Sequence, residues 1–366
     1  MIRMPFLVAV LVLLSTVGFA QDDWTIDDFL AETGVREGPV PAREMPGWRP
    51  DPTILLRDSS GQAEALAQEF PTANIITVQN AAELAAQAPT ADVIIGFCTA
   101  EAIGAAPRLV WVQIFSAGAE RCLAVDELRS GKVLLTNMQK MSSPAIGEHA
   151  VAMALSLARG LVRYGKAMPA GKWRSDMTRD PGMFSVSGKT MLVVGLGGIG
   201  TAAARRANAL GMRVIATRNS SREGPAFVDY VGLSNELPKL LGEADIIVNA
   251  LPLTSSTAGM FDRALFARVK PAAYFINVGR GGTVVTDALV EALESGRLAG
   301  AGLDVTDPEP LPSDHPLWQM SNVIITPHVS WAGADRRLHS MLLRENIRRY
   351  LAGDALLNVV DPERGY

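Results

Sequence analysis

Short apolar runs alternate with amphipathic stretches along most of the chain. Thr53-Ile-Leu-Leu, 74–78, 91–96 and 109–115 have strand length, and helical patterns over 62–70 and 81–87 separate them. After a long Ala/Leu-rich helix predicted over 144–165, the alternation restarts at 190–194. It continues through apolar runs at 213–216, 245–249, 274–278, 300–305 and 323–326. An amphipathic, Arg-rich helix is predicted over 333–352, whereas the Pro-, Gly- and acid-rich residues 21–50 read as a lead-in segment. Strands that alternate with helices at this spacing predict parallel sheets with right-handed crossovers, arranged as two α/β domains.

Length supports that division, because 366 residues exceed one ordinary core. Apolar residues make up 48% and charged residues 20%, the balance of a globular α/β protein rather than a disordered chain. The formal charge of −4, without a Lys/Arg run, argues against a nucleic-acid partner. Anionic substrates must then be held by a few placed cations.

The first twenty residues differ from the rest. Arg3, an apolar stretch over 6–17 and Gly18-Phe19-Ala20 have the pattern of a secretory signal peptide cleaved before Gln21. Export to the periplasm is therefore expected. An uncleaved N-terminal segment is the alternative, as is a cytoplasmic protein with a misplaced start. The two cysteines, Cys98 and Cys122, are read as buried thiols, with pairing in an oxidising compartment as the other option. No Cys/His cluster has metal-ligand spacing, so no metal is expected.

An apolar strand leads into Gly195-Leu-Gly197-Gly198-Ile199-Gly200, a G-x-G-x-x-G turn that opens an Ala-rich helix. The first glycine permits the tight turn, and the second lets backbone approach a pyrophosphate. The third lets helix pack on strand. An NAD site wants a carboxylate after the next strand, to accept from the ribose 2′-hydroxyl. That strand ends instead in Thr217-Arg218-Asn219-Ser220, with Arg222 following, and guanidinium plus hydroxyl groups suit the 2′-phosphate of NADP.

Three further segments end predicted strands: Asn277-Val-Gly-Arg280, Gly302-Leu-Asp304 running on to Glu309-Pro310, and Thr326-Pro-His328-Val-Ser-Trp331. Reduction of a 2-oxo acid needs a cation to fix the carboxylate and polarise the carbonyl, which Arg280 supplies. It also needs a proton donor titrating near neutrality, a role that suits His328. A buried carboxylate beside that histidine, Glu309, would hold its tautomer and raise its pKa. Trp331 either walls the pocket or packs in the core.

With these motifs in this order, residues 50–366 resemble the D-isomer-specific 2-hydroxyacid dehydrogenases. The resemblance implies a Rossmann cofactor domain inserted in a flavodoxin-like α/β substrate domain. The substrate domain would comprise 48–145 and 331–366, the cofactor domain 146–330, with the active site in the cleft between them. It implies that Arg280, Glu309 and His328 are catalytic and that the backbone of Ser116-Ala117-Gly118 grips the substrate carboxylate. Leu251, Pro252 and Thr257 would lie beneath the nicotinamide, and Asp304 would support the cofactor side of the site. Arg218 in place of Asp is similar to NADP-preferring members, so NADP is expected over NAD. Glyoxylate or hydroxypyruvate is the expected substrate and a homodimer the expected assembly. The competing reading on the same fold is a non-catalytic NAD(P)-sensing protein, for which the three catalytic positions would be dispensable.

Overall fold

The computed structural model describes residues 24–58, 61–171, 173, 175 and 183–365. The segment 1–20, read from sequence as a signal peptide, lies outside them. Among the described residues fourteen strands occur in chain order: β1 (Glu37–Pro41), β2 (Thr53–Leu56), β3 (Asn74–Thr77), β4 (Val93–Ile95), β5 (Trp111–Gln113), β6 (Leu134–Thr136), β7 (Thr190–Val194), β8 (Arg213–Thr217), β9 (Tyr230–Gly232), β10 (Ile246–Asn249), β11 (Ala273–Asn277), β12 (Leu298–Leu303), β13 (Val323–Ile325) and β14 (Ala355–Leu357).

They form two parallel sheets and a small antiparallel ribbon. Five strands take the order β3-β2-β4-β5-β6, and seven take β13-β12-β11-β10-β7-β8-β9. The first is the flavodoxin-like order, and the second is the Rossmann order with one added strand. The expected fold class is therefore what the chain adopts. Strands β2, β4, β7, β10 and β11 are apolar on both faces because helices cover both sides.

The C-terminal helix Arg336–Ala352 returns to the five-stranded sheet. Its Leu342, Leu343, Ile347 and Tyr350 join Ile54, Val93 and Trp111 in one core, and Tyr350 stacks on Trp111 with ring centroids 5.6 Å apart. Buried Asn346 donates to Gln113 Oε1 and to the Leu357 carbonyl, which fixes this helix against both β5 and β14.

Several elements depart from the sequence pattern. The segment read as a lead-in carries a helix, Ile26–Thr33, started by a Thr25/Asp28 capping box. Phe29 of that helix is fully buried, and β1 pairs with β14, so the first unit reaches back before residue 48. Proline and acidic residues masked a single amphipathic turn whose apolar positions are few. The helix predicted over 144–165 breaks into Ser143–Ala158 and Leu161–Ala167, bent by 68°. Gly160 between them adopts φ 66°, a left-handed conformation that ends the first helix. The predicted 333–352 helix starts at Arg336, capped by Asp335. Strands β6 and β9 were not anticipated, because three-residue strands carry too little pattern.

Cys98 and Cys122 form a disulfide with Cα atoms 5.4 Å apart, which corrects the free-thiol reading. Cys98 follows β4 and Cys122 follows the loop after β5, so the bond ties two adjacent loops at the carboxyl edge of one sheet. Among the described residues no single helix is long and apolar enough to cross a membrane.

The bond closes a separation of 24 residues, so replacing both cysteines by serine should lower stability by about 3 kcal/mol. Urea unfolding of the oxidised chain against the double variant measures this. Coincident midpoints would show that the bond contributes nothing.

Candidate active site

The glycine turn follows β7 and leads into the helix Gly198–Ala209. Gly195 adopts φ 94°, a side chain at Gly200 would collide with the Gly195 carbonyl, and Gly197 faces open space. That combination is a backbone cradle at a helix N-terminus, and it fits a dinucleotide pyrophosphate. Ile199 is half-buried and packs on the cofactor-domain core. Leu251-Pro252 lies alongside, since a side chain at Gly195 would touch Leu251 and one at Gly279 would meet its backbone. The buried Thr257 hydroxyl donates to the Pro252 carbonyl at 2.6 Å and accepts from Thr254 N–H, bracing that turn.

At the end of β8, the Arg218 guanidinium donates to the Glu223 carbonyl and has no carboxylate partner among the described residues, while Asn219 and Ser220 are exposed. Arg222 is engaged elsewhere: it pairs with Glu236 at 2.7 Å and donates to the Tyr230 hydroxyl. It is therefore not the free partner of Arg218 that the sequence suggested. A cation that sequence reasoning missed lies beside the glycine turn. The Lys140 stem lies beside Gly198, and its ammonium donates to the Gly34 carbonyl. Burial first, then the like charges of Arg36 and Arg218, holds the Lys140 ammonium below the usual lysine range.

On the other wall, Ser116, Ala117 and Gly118 follow β5 with their carbonyls committed. Met138 N–H, Asn137 Nδ2 and the Ser116 hydroxyl donate to them in turn. The N–H groups of these three residues have no protein partner among the described residues, which leaves them available as donors. Arg280 closes on this loop, because a side chain at Gly118 would overlap its guanidinium. Glu120, two residues on, accepts from Arg280 Nε at 2.9 Å. A carboxylate of the protein thus holds the arginine expected to hold a substrate carboxylate. The sequence carried that signal only as an acid shortly after the loop.

The turn bearing Arg280 backs onto the next segment, since Gly281 lies against the Thr306 carbonyl and the Thr286 hydroxyl donates to that of Asp307. That segment leads to Glu309, whose Oε1 is 2.7 Å from His328 Nδ1. Glu309 and His328 are 44% and 39% exposed, so the acid expected to be buried opens to solvent at the cleft. An ionised carboxylate only accepts, so the Glu309 contact places a proton on Nδ1 and turns Nε2 outward as the working nitrogen. Trp331 is 57% exposed and donates to the His328 carbonyl, which rules out core packing.

Asp304 explains the placement of His328. It is 1% exposed; its Oδ1 accepts from the Thr326 hydroxyl at 2.6 Å and from Val329 N–H, and its Oδ2 from Ser330 N–H. Burial pushes the Asp304 carboxyl upward, but the Ser330 and Thr326 hydroxyls and the two amides outweigh it and keep the group below the usual range. The Asp304 carbonyl also accepts from His328 N–H, and His328 adopts φ 55°. Asp304, grouped with the cofactor residues from sequence, directs its hydrogen bonds among the described residues to the histidine loop. His149, which sequence reasoning missed, reaches Thr326 Oγ1 at 3.0 Å from the helix Ser143–Ala158.

A Rossmann sheet with its phosphate turn, facing a loop of free amides and flanked by Arg280, Glu309 and His328, defines an NAD(P)-linked oxidoreductase. Residues 151–330 match the family model described as D-isomer specific 2-hydroxyacid dehydrogenase, NAD binding domain. Glyoxylate/hydroxypyruvate reductase B of Enterobacter sp. (strain 638) is 36% identical over 258 residues, covering 70% of this chain and 79% of the relative. Among solved structures, the NADPH-dependent glyoxylate/hydroxypyruvate reductase of Sinorhizobium meliloti, in complex with NADP and sulfate, matches at TM-score 0.74 and 30% identity. That match covers 86% of this chain and 100% of the other. A D-isomer specific 2-hydroxyacid dehydrogenase of Xanthobacter autotrophicus Py2, in complex with NADPH and MES, matches at TM-score 0.72 and 29% identity, with the same coverage. The chain belongs to the D-isomer-specific 2-hydroxyacid dehydrogenase family. It is an NAD(P)-dependent enzyme that transfers a hydride between the cofactor and C2 of a 2-oxo/2-hydroxy acid, and the sensing alternative is set aside.

Because Glu120 competes for Arg280, Glu120→Gln should lower KM for a 2-oxo acid about tenfold, roughly the worth of one charge-assisted pair, with kcat little changed. Steady-state kinetics of the variant checks this, and an unchanged or raised KM would refute the competition.

Proposed function

We propose that this enzyme is an NADPH-dependent reductase of small 2-oxo acids of the glyoxylate and hydroxypyruvate type, yielding the D-2-hydroxy acid. The observation that carries the reading is the contact of Arg280 with Gly118, on a turn packed against the segment that presents the Glu309–His328 pair. The substrate carboxylate takes the amides of 116–118 and displaces Glu120 from Arg280. The guanidinium then polarises the 2-oxo group. A nicotinamide cofactor held at the glycine turn would supply the hydride for C2. His328 Nε2 gives its proton to the carbonyl oxygen, and Glu309 stabilises the imidazolium before transfer. Partial exposure lets His328 regain its proton from solvent after product leaves.

The preference for NADP rests on Arg218, with Asn219 and Ser220 beside it and Lys140 and Arg36 close enough to repel one another. Cations gathered without ion-pair partners among the described residues suit a phosphate. The NADP and NADPH complexes of the similar enzymes support the same reading. Export is inferred from the pattern of residues 1–20, and the Cys98–Cys122 bond suits an oxidising compartment. A homodimer is inferred from Leu161, Met168 and Trp173, which are 56%, 75% and 97% exposed along the edge of the cofactor domain.

His328→Ala and Arg280→Ala should each lower kcat/KM for glyoxylate at least about a thousandfold, while NADPH still binds by fluorescence titration. Near-wild-type turnover of either variant would remove the assigned role. Arg218→Asp should move the NADP/NAD ratio of kcat/KM toward NAD by about two powers of ten, and an unmoved ratio would sink the phosphate assignment.

Protein recovered from a periplasmic extract should begin at Gln21 and elute at twice the monomer mass. A cytosolic chain that begins at Met1 would overturn export, and elution at the monomer mass would overturn the dimer.

A further inference from the structure

The five-stranded sheet has a topological switch point between β2 and β4. From β2 the chain moves outward to β3, then returns across to β4 and continues to β5 and β6. The loops that follow β2 and β4 therefore part in opposite directions and leave a crevice at the carboxyl edge. Arg57 is the first residue after β2, Gly96-Phe97 follow β4, and Phe115 precedes the 116–118 loop beyond β5.

These residues form one continuous wall. Arg57 N–H donates to the Ile95 carbonyl at 2.9 Å, which anchors the start of its loop on β4. Gly96 adopts φ 91°, and a side chain there would lie 2.7 Å from Arg57 Cβ and 2.8 Å from Phe115 Cε2. Arg57 and Phe115 thus meet over a position where only glycine fits. The Arg57 guanidinium carbon lies 5.3 Å from the Phe97 ring centroid, so its charge rests over an aromatic face. Phe97 follows β4, the strand between β2 and β5, so the guanidinium over its ring lies on the side of the substrate loop.

Arg57 is exposed and has no carboxylate partner among the described residues. Adjacent Asp58 is turned to the N–H groups of Gly61, Gln62 and Ala63, and Glu120 is held by Arg280. Arg49 and Arg108 of this domain pair with Asp51 and Asp92, whereas Arg57, like Arg36 and Arg121, has no carboxylate partner among the described residues. An unpaired guanidinium held against a ring in a ligand crevice is prepared for an anion.

We propose that Arg57 binds a second carboxylate on the substrate, so that the enzyme prefers 2-oxo diacids of four or five carbons to monoacids of the same length. This rests on the 2-oxo-acid reductase reading above. The ends of β2 and β5 are two strand spacings apart, about 10 Å, and the arginine stem bridges part of that gap. The remainder suits a chain that places C1 on the 116–118 amides and Arg280 and its far carboxylate on Arg57. One planar guanidinium fork matches one carboxylate in charge and shape, which favours a carboxylate over a doubly charged phosphate.

Steady-state assays with NADPH on the full-length enzyme test this with two matched pairs: oxaloacetate against 2-oxobutyrate, and 2-oxoglutarate against 2-oxopentanoate. The wild type should favour the diacid of at least one pair by about tenfold or more in kcat/KM, chiefly through KM. Arg57→Gln should erase that preference, and Arg57→Lys, which keeps the charge without the fork, should retain part of it. Equal values for both members of each pair in the wild type, or a preference that survives Arg57→Gln, would overturn the inference. If glyoxylate is reduced but diacids gain nothing, only this inference fails. If no 2-oxo acid is reduced, the reductase reading fails and takes this inference with it.

Discussion

The catalytic edge of the cofactor domain hangs on the buried carboxylate of Asp304. A charge that is 1% exposed is tolerated only when its oxygens are fully engaged, and here they collect two hydroxyls and two amides from residues 326–330. Those bonds wrap the chain after β13 around the end of β12 and set His328 at φ 55°, a conformation a non-glycine residue takes only when its surroundings impose it. The Asp304 carbonyl adds the bond to His328 N–H. With its backbone fixed this way, the imidazole meets Glu309 at 2.7 Å. His149 extends the same network into the helix Ser143–Ala158, so a helix at the domain junction shares in it. Loss of the Asp304 charge would therefore disturb a histidine it does not touch by side chain.

The second organising contact is between domains. Arg280 comes from the cofactor domain, and Gly118 and Glu120 come from the loop after β5 of the other. Partly exposed ion pairs contribute little to stability, so the weight of the Arg280–Glu120 pair lies in keeping the guanidinium oriented. The pairing lets the arginine bind an anion without first being drawn out of bulk water. The disulfide lies just past Glu120, at Cys122, and so limits how far this loop can drift from the β4 edge that carries Phe97.

Much of this was legible in the sequence, for identifiable reasons. The glycine turn, Arg280, Glu309 and His328 each follow a strong apolar strand, and a side chain at the carboxyl end of a parallel strand has few places to go. Their assembly on one edge follows from topology. What escaped depended on contacts distant in sequence. Phe29 is buried only because the C-terminal helix covers it, and β1 exists only because β14 pairs with it, more than 300 residues away. Lys140, with φ 76°, gives no pattern at all, and Arg222 is diverted by Tyr230 at the start of β9 and Glu236 in the turn after it. The cysteine pairing turned on whether two loops of adjacent strands run side by side. Strand order decides that, and local composition does not.

Charge placement unites these observations. With a formal charge of −4, the chain has no basic face to draw anions by its overall field. Instead single cations stand where backbone or aromatic surface, rather than carboxylate, surrounds them: Arg218 and Lys140 near the glycine turn, Arg57 over Phe97. Arg280 differs in having Glu120, and in the proposed mechanism it is the cation that faces the carbonyl whose bond order changes. Groups that only bind can be left unpaired and await their ligand. The group that must polarise a carbonyl is held in position by a partner the substrate can replace. That division follows from the energetics of desolvating a guanidinium, which costs least when the incoming anion inherits an existing geometry.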